Sequence, residues 1–159
     1  MLKVYSDSKA VPLFNSDNCH GDDFYYSTLE KMRSAIDFWL FSYEKGYFVR
    51  WSVIDKAEDM AIGTIELFRR QAEDFFTDCG VLRLDLRSDY ENAQEIVQIL
   101  GLILDHAFDW FGCSMIATKA IAEAAQRRCA LESLGFTLRE EKLIGHDGTE
   151  YEDYLICTG

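Results

Sequence analysis

The chain has 159 residues, of which 48% are hydrophobic and 14% aromatic. This is enough apolar material for one folded core, and it excludes an intrinsically disordered chain. The 28 acidic residues outnumber the 16 basic ones and give a formal net charge of −12. That charge argues against general binding to nucleic acid or to an anionic membrane, because both favour a basic surface.

The five cysteines are scattered along the sequence, with no C-x-x-C pair and no histidine at metal-ligand spacing. Such a set is typical of reduced thiols, so it predicts a cytoplasmic protein without a disulfide framework or a metal site. The first residues lack the apolar stretch of a signal peptide. The longest apolar stretch, 96–107, is too short and too polar to span a bilayer. No linker or repeat divides the chain, which predicts a single domain over residues 1–159.

The first part of the chain predicts a loop and then a helix. Residues 6–23 are rich in Ser, Asn, Asp and Gly, as irregular segments are. Ser27 and Glu30 stand at capping-box spacing with Thr28 between them, so a helix should begin here. Apolar residues recur at helical intervals until Tyr43, and a glycine three residues later is a typical end signal.

Alternating patterns predict three strands after this helix, at 47–54, 61–68 and 81–86. The third strand alternates most clearly, with leucines on one face and charged residues on the other. The two sets are Leu82, Leu84 and Leu86 against Arg83, Asp85 and Arg87.

The C-terminal half predicts helices that alternate with strands. A broad apolar stripe predicts one long helix over 93–111. A strand at 114–118, a helix at 122–134 and a closing hairpin of 137–144 with 151–157 follow. This order predicts an α/β (α+β) fold: a mixed, mostly antiparallel sheet with a central strand–helix–strand crossover and flanking helices.

Residues 129–136 read C-A-L-E-S-L-G-F and resemble the "xxLLExLGF" ending of the fourth helix in the GNAT acetyltransferase superfamily. Other similar segments precede it at matching distances: 28–33 with 47–49, 62–67, 93–111 and 114–118. The first of these resembles the branch that includes ribosomal-protein N-terminal acetyltransferases. The resemblance covers roughly residues 7–159 and depends on the order and spacing of the segments.

The resemblance implies an N-acetyltransferase that moves acetyl from acetyl-CoA to a primary amine of a small molecule or a protein N-terminus. In that family the cofactor lies between two diverging central strands, and a Gly-rich turn offers N–H groups to its pyrophosphate at a helix N-terminus. The implied cofactor contacts here are Leu84, Asp85, Leu86, Asn92, Ala93, Gln94, Glu95, Ile96, Arg127 and Arg128. Plain alternatives stay open: a core strand, a helix start capped by Asn92, and solvated arginines.

The sequence departs from the family pattern in several places. Asn92 and Gln94 stand at glycine positions of the phosphate turn, and nearby carboxylates should weaken the binding of an anion: Asp85, Asp89, Glu91 and Glu95, with Arg87 as the nearby cation. Ala124 replaces a common asparagine, and the fourth helix lacks the family's frequent catalytic tyrosine. These changes leave open a second function, a catalytically inactive binding or assembly module.

The family's first strand and much of its first helix have no counterpart before Ser6. Either the chain is shortened, or another subunit, as in a homodimer, covers the sheet edge that the missing strand leaves.

An acetyl transfer also needs a base to deprotonate the amine. Glu66 and Asp85 are the candidates, because both lie on central strands opposite the apolar face; the alternative is a pair of solvated carboxylates. The histidines at 20, 106 and 146 are weaker candidates. The aromatic residues 24–26 could line a groove for a cationic amine or peptide, whereas Trp39 has the helical spacing of a core residue.

Overall fold

The computed structural model describes residues 1–16 and 22–159. Its helices, in chain order, are α1 (Leu2–Tyr5), α2 (Val11–Phe14), α3 (Leu29–Glu44), α4 (Ala93–Gly101), α5 (Leu104–Phe111) and α6 (Ala125–Ser133). Its strands are β1 (Val49–Asp55), β2 (Met60–Arg70), β3 (Cys79–Leu86), β4 (Met115–Lys119), β5 (Thr137–Leu138), β6 (Leu143–Ile144), β7 (Glu150–Tyr151) and β8 (Tyr154–Thr158).

Six strands form one sheet in the order β1-β2-β3-β4-β8-β5, and β6 pairs with β7 in a separate ribbon. The central neighbours β3 and β4 are parallel, because α4 and α5 carry the chain back between them. The neighbouring pairs β1–β2, β2–β3, β4–β8 and β5–β8 are antiparallel. The mixed sheet with its central crossover confirms the predicted fold class.

The two faces of the sheet are both covered. On one face, leucines of β3 pack with α4, α5 and α6 in the main apolar core; Leu84, Ile96, Leu100 and Leu131 belong to it. A second core, around Tyr5, Phe14 and Met32, joins residues 1–16, which we call the N-terminal segment, to α3. Because Tyr5 bonds to β2 and β3 side chains, this segment lies over the charged side of those strands.

The first helix of the prediction forms, with a different cap. Thr28 is the N-cap of α3, and its hydroxyl accepts a hydrogen bond from the Lys31 N–H at 3.2 Å. The predicted pairing of Ser27 with Glu30 was therefore wrong by one residue. The prediction of an irregular segment over 6–23 was also wrong in part, because α2 forms within it with Pro12 in its first turn. Residues 17–21 lie outside the described residues.

The predicted helix over 93–111 is two helices. α4 ends at Gly101, and α5 begins at Leu104 after a residue with non-helical backbone angles. Glycine is a poor helix former, which suits it to such a break. Among the described residues, no helix meets the length and apolarity that a membrane span requires.

The C-terminal hairpin forms around the predicted turn, but its first strand is interrupted. Thr137 and Leu138 pair with β8, whereas Leu143 and Ile144 pair with β7. The helix predicted over 122–134 is shorter at its start and begins at Ala125. Cysteines 79, 113, 129 and 157 are free thiols.

Candidate functional site

The sheet opens between β3 and β4. Parallel pairing runs from Gly80 with Ile116 to Leu82 with Thr118, and β3 then continues to Leu86 without β4 beside it. We call this opening the crevice; it is where the resemblance implies a cofactor. Its volume is about 10 Å³, which is room for no more than one water molecule.

Side chains of the protein fill the crevice. Arg127 donates to the Leu84 carbonyl oxygen at 2.8 Å and to the Glu91 carboxylate at 2.7 and 2.8 Å. Both side chains are largely buried, with 6% and 13% exposed. Leu13 and Ser16 line the crevice from the N-terminal segment. The backbone oxygen that a cofactor arm would meet on β3 therefore already has a partner.

The start of α4 has protein partners as well. Asn92 caps the helix by accepting from the Glu95 N–H at 3.1 Å, and the Ala93 N–H donates to the Gln126 side chain at 3.2 Å. Gln94 is exposed. Ile96 is fully buried in the main core. These contacts are those of an ordinary capped helix start, which was the alternative interpretation of this segment.

The other cations near the expected phosphate site also have protein acceptors. Arg128 donates to the Ala120 carbonyl oxygen at 2.9 Å and to Asp153 at 2.5 Å. Arg87 donates to Asp89 at 2.6 and 2.7 Å. The roles of Arg127 and Arg128 as phosphate contacts stay predictions, and these bonds argue against them.

A cluster of polar side chains is buried between β1–β3 and the N-terminal segment; it comprises Tyr5, Arg50, Thr64, Glu66, Arg83 and Asp85. The strand register builds it, because Arg50 lies opposite Glu66, and Glu66 lies opposite Arg83. Glu66 accepts two hydrogen bonds from Arg50, at 2.9 and 2.5 Å. Opposite charges in register thus neutralise one another inside the protein.

Asp85 is the centre of this cluster and is 1% exposed. It accepts from the Tyr5 hydroxyl at 2.7 Å, from Arg83 at 3.1 Å and from Arg50 at 3.3 Å. Burial alone would raise the pKa of Asp85, but the charges of Arg83 and Arg50 and these hydrogen bonds lower it. A carboxylate with a lowered pKa is a weak base, so its assignment as the general base stays a prediction that this geometry disfavours.

The cluster also changes the ionisation of its other members. Burial and the nearby Asp85 raise the pKa of Tyr5 well above its ordinary value, so its hydroxyl keeps its proton. The pKa of Arg50 is raised although burial opposes it, because Tyr5, Glu66 and Asp85 favour the charged form. The interpretation of Glu66 and Asp85 as solvated strand carboxylates is wrong, since they are 8% and 1% exposed and are paired with arginines.

A second opening, which we call the cleft, lies beside the β6–β7 ribbon. Its volume is about 420 Å³, within the range of small-molecule sites. Its floor is apolar and includes Phe68, Val81, Tyr151 and Tyr154. Its charged lining residues are four acidic side chains and two arginines: Asp22, Glu66, Glu73, Asp74, Arg70 and Arg83.

An ion pair holds the wall of the cleft in place. Arg70 donates to Asp74 at 2.5 and 2.7 Å and to the Ile144 carbonyl oxygen at 2.7 Å. Asp74 in turn accepts from the Ile144 N–H at 3.0 Å. Burial raises the pKa of Asp74, but the bonds from Arg70 and Ile144 outweigh it and lower the pKa. The β2–β3 loop is thereby joined to β6, and the cleft is preformed.

Arg83 separates the two openings, and it is the one described residue that lines both. It bonds Asp85 at 3.1 Å, donates to the Phe14 carbonyl oxygen and stacks over the Phe24 ring at 3.8 Å. Acetyl-CoA does not fit the residues as they stand: the crevice is filled, and the Ala93 and Glu95 N–H groups at the start of α4 already have acceptors.

Several residues of the site were not anticipated from the sequence. Tyr5, Arg50 and Arg70 gave no motif signal, although the alternating charges of β2 and β3 did show a polar face. Of the histidines, His146 lines the cleft, His106 stacks on Trp110, and residue 20 lies outside the described residues. Trp39 packs against the second core, as predicted.

No family model matches the sequence, and no curated protein matches it. Solved structures are similar in fold. Ribosomal-protein-S5-alanine acetyltransferase from Vibrio fischeri is 18% identical, covering 95% of this chain and 87% of that one, with a TM-score of 0.60. A GNAT-family acetyltransferase from Bacillus anthracis is 15% identical, with 97% and 83% covered and a TM-score of 0.62. Mutant forms of the spermidine/spermine N-acetyltransferase SpeG from Vibrio cholerae are 14% identical, with 92% and 84% covered and a TM-score of 0.61. These identities establish the architecture and not the activity: the chain has the fold of the GNAT acetyltransferases.

Proposed function

We propose that this chain is a GNAT-fold binding protein that takes an amine-bearing, partly apolar ligand in the cleft and does not transfer acetyl groups. The filled crevice carries this proposal. Arg127 and Glu91, with Leu13 and Ser16, leave about 10 Å³ where a thioester cofactor would have to enter. A cofactor arm would have to displace a buried ion pair, which is costly.

The separation of the two openings supports the same proposal. Group transfer requires the reacting atoms to approach within about 3.5 Å. Here Arg83, bonded to Asp85 and to the Phe14 carbonyl oxygen, stands between the crevice and the cleft. A ligand in the cleft would therefore meet a guanidinium group rather than a donor group in the crevice.

The lining of the cleft indicates the ligand class. Its aromatic and aliphatic floor favours an apolar body, and the excess of carboxylates over arginines favours a cation. Arg70 is neutralised by Asp74, which leaves the acidic excess in place. The net charge of −12 would also attract a cationic ligand. A cytoplasmic location, where the thiols stay reduced, belongs to this proposal.

Acetyl transfer from acetyl-CoA to the primary amine of a small molecule or protein N-terminus is the second candidate. Two observations favour it: the fold, and the early end of the β3–β4 ladder at Leu82 and Thr118. It requires Arg127 and residues 11–16 to leave the crevice.

Calorimetry with acetyl-CoA separates the two candidates. For the wild type and a control Arg139→Ala, which removes an exposed ion pair, we expect no heat at millimolar ligand. Arg127→Ala, which empties part of the crevice, is expected to bind acetyl-CoA more tightly than the wild type. Submillimolar binding by the wild type, together with release of CoA thiol on adding an amine, would overturn the binding-protein proposal.

Paired ligands test the cleft. Hexylamine and hexanol share an apolar body and differ in charge, so we expect hexylamine to bind about fivefold more tightly, equivalent to about 1 kcal/mol. The changes in chemical shift of the cleft residues during each titration give the two dissociation constants. Glu73→Gln should reduce the preference. Equal affinity for the two compounds would rule out the cationic ligand class.

A further inference from the structure

The two ends of the sheet differ in a way that points to a protein interface. β5, at one end, has two residues, whereas β1, at the other, has seven. Residues 49–55 make backbone hydrogen bonds to β2 on one side, and within the described residues no backbone bond reaches their other side. A long, unpaired strand edge is a template for pairing with another chain, and proteins usually blunt it with charges or proline.

Neither a proline nor an exposed basic side chain blunts the edge of β1 over residues 49–53. Its one basic side chain, Arg50, is turned into the buried cluster with Glu66 and Asp85. A register irregularity between Val53 and Ile54 leaves residues 49–53 in regular pairing. The strand contains no proline or lysine.

Aromatic side chains flank this edge, and we call them the β1-edge surface: Phe38, Phe41, Tyr47, Phe48, Trp51 and Trp110. On the α3 side, Phe38 contacts Phe48 and Phe41 contacts Tyr47, both at 6.4 Å between ring centroids. On the α5 side, Trp51 contacts Trp110 at 6.1 Å. Phe38, Phe41, Tyr47 and Trp110 are 47–62% exposed, which is unusual for large rings of a monomer.

We propose that the β1-edge surface is a homodimer interface in which β1 pairs antiparallel with β1 of a second copy. A two-fold axis brings the same strand edge of both copies together. The unpaired backbone groups of one β1 then hydrogen-bond to those of the other, and the two sheets form one continuous sheet. The four exposed rings offer roughly 100 Å² each, which is about half of the approximately 800 Å² per partner of a stable interface, and Ile54 and the strand backbone add to this area.

The charges of residues 29–45 are compatible with a second copy of the chain as the partner. Residues 29–45 contain three acidic and three basic residues, in a chain whose net charge is −12. The α3 side of the surface is therefore locally neutral, and two copies can meet there without the repulsion that the rest of the chain would give. The α5 side carries the exposed Asp105 and Asp109. The inference does not depend on what the cleft binds.

Light scattering after gel filtration tests it. The wild type should have about twice the 18.3 kDa chain mass at millimolar concentration, and its mass should fall towards that of one chain on dilution to micromolar concentration. The double variant Phe41→Glu with Tyr47→Glu places four carboxylates at the interface and should raise the dimer dissociation constant by about 100-fold. Leu138→Glu, an equally exposed position on β5, should leave it unchanged.

Hydrogen exchange gives a readout that needs no variant. Amides of residues 49–53 should exchange more slowly as the wild-type concentration rises, while amides of β5 should not change. A wild type that stays monomeric throughout overturns the proposal. So does an oligomer that the double variant leaves intact, or slowed exchange at β5 instead of β1.

Discussion

The crevice and the cleft lie on the same sheet and share Arg83, yet one is filled and the other is open. In the crevice, the Arg127–Glu91 pair and the N-terminal segment bring side chains together across the gap between β3 and β4. In the cleft, the Arg70–Asp74 pair instead fastens one wall, so that the apolar floor stays accessible. The difference teaches that a buried ion pair can close an opening or preserve it, according to which elements it joins.

The largest expected effect concerns the cluster beneath the N-terminal segment. Asp85→Asn removes the carboxylate between Arg50 and Arg83, so two buried guanidinium groups lose a counter-ion. We expect a loss of about 3–5 kcal/mol in the free energy of unfolding, measured by urea denaturation. The exposed pair of Arg87 with Asp89 supplies the control, since Asp89→Asn should cost less than about 1 kcal/mol. Equal losses of unfolding free energy in Asp85→Asn and Asp89→Asn would show that the cluster does not hold the N-terminal segment on the sheet.

The next effect concerns the wall of the cleft. Arg70→Ala breaks bonds to Asp74 and to the Ile144 carbonyl oxygen, and we expect it to cost about 2–3 kcal/mol of stability. It should also weaken hexylamine binding about tenfold, because the β6–β7 ribbon is released. Arg69→Ala, from an exposed pair with Asp78, is the matched control. Unchanged hexylamine affinity in Arg70→Ala would mean that the ribbon does not shape the cleft.

The smallest effect is a pH dependence of the segment beside the crevice. Asp7 accepts from the Ser88 N–H at 2.8 Å and the Lys9 N–H at 3.0 Å; burial raises its pKa, but these bonds outweigh it and lower the pKa. A lowered folded-state pKa gives stability that is present above the unfolded pKa and is lost as the pH falls through the folded one. We expect Asp7→Asn to be about 1 kcal/mol less stable at neutral pH, with the gap shrinking below about pH 4.

Denaturation of the wild type and Asp7→Asn across that pH range measures this gap. Asp37→Asn, which removes an exposed carboxylate on α3, is the matched control. A gap that widens in acid would contradict the assigned direction of the pKa shift.

Local patterns predicted most of the elements. The α4–α5 stripe, the alternation in β3 and the turn at 145–148 are encoded by neighbouring residues, so they could be read without the tertiary structure. Gly112 and Gly135 mark helix ends, and both adopt positive φ angles of 58° and 86°. Boundaries failed where several signals competed, as at Thr28, where two adjacent residues could cap the same helix.

The candidate site was predicted less well, because its contacts join residues far apart in the chain. Arg127 had the charge of a phosphate contact, but its partner Glu91 lies 36 residues earlier. Asp85 had the position of a base, but Tyr5 lies 80 residues away. Charge type and spacing can nominate such residues, whereas only their neighbours in space decide whether they bind a ligand or one another.

The sequence by itself determined the order of the longer helices and strands from α3 onward, the GNAT-like arrangement and the absence of glycine at positions 92 and 94, since each depends on local periodicity or on a residue type. Only the tertiary structure decided that the crevice is filled and the cleft is open. The physical reason is that pairing between buried charges depends on distance and solvent exclusion, which the fold sets by bringing the N-terminal segment, β1 and α6 to the central strands.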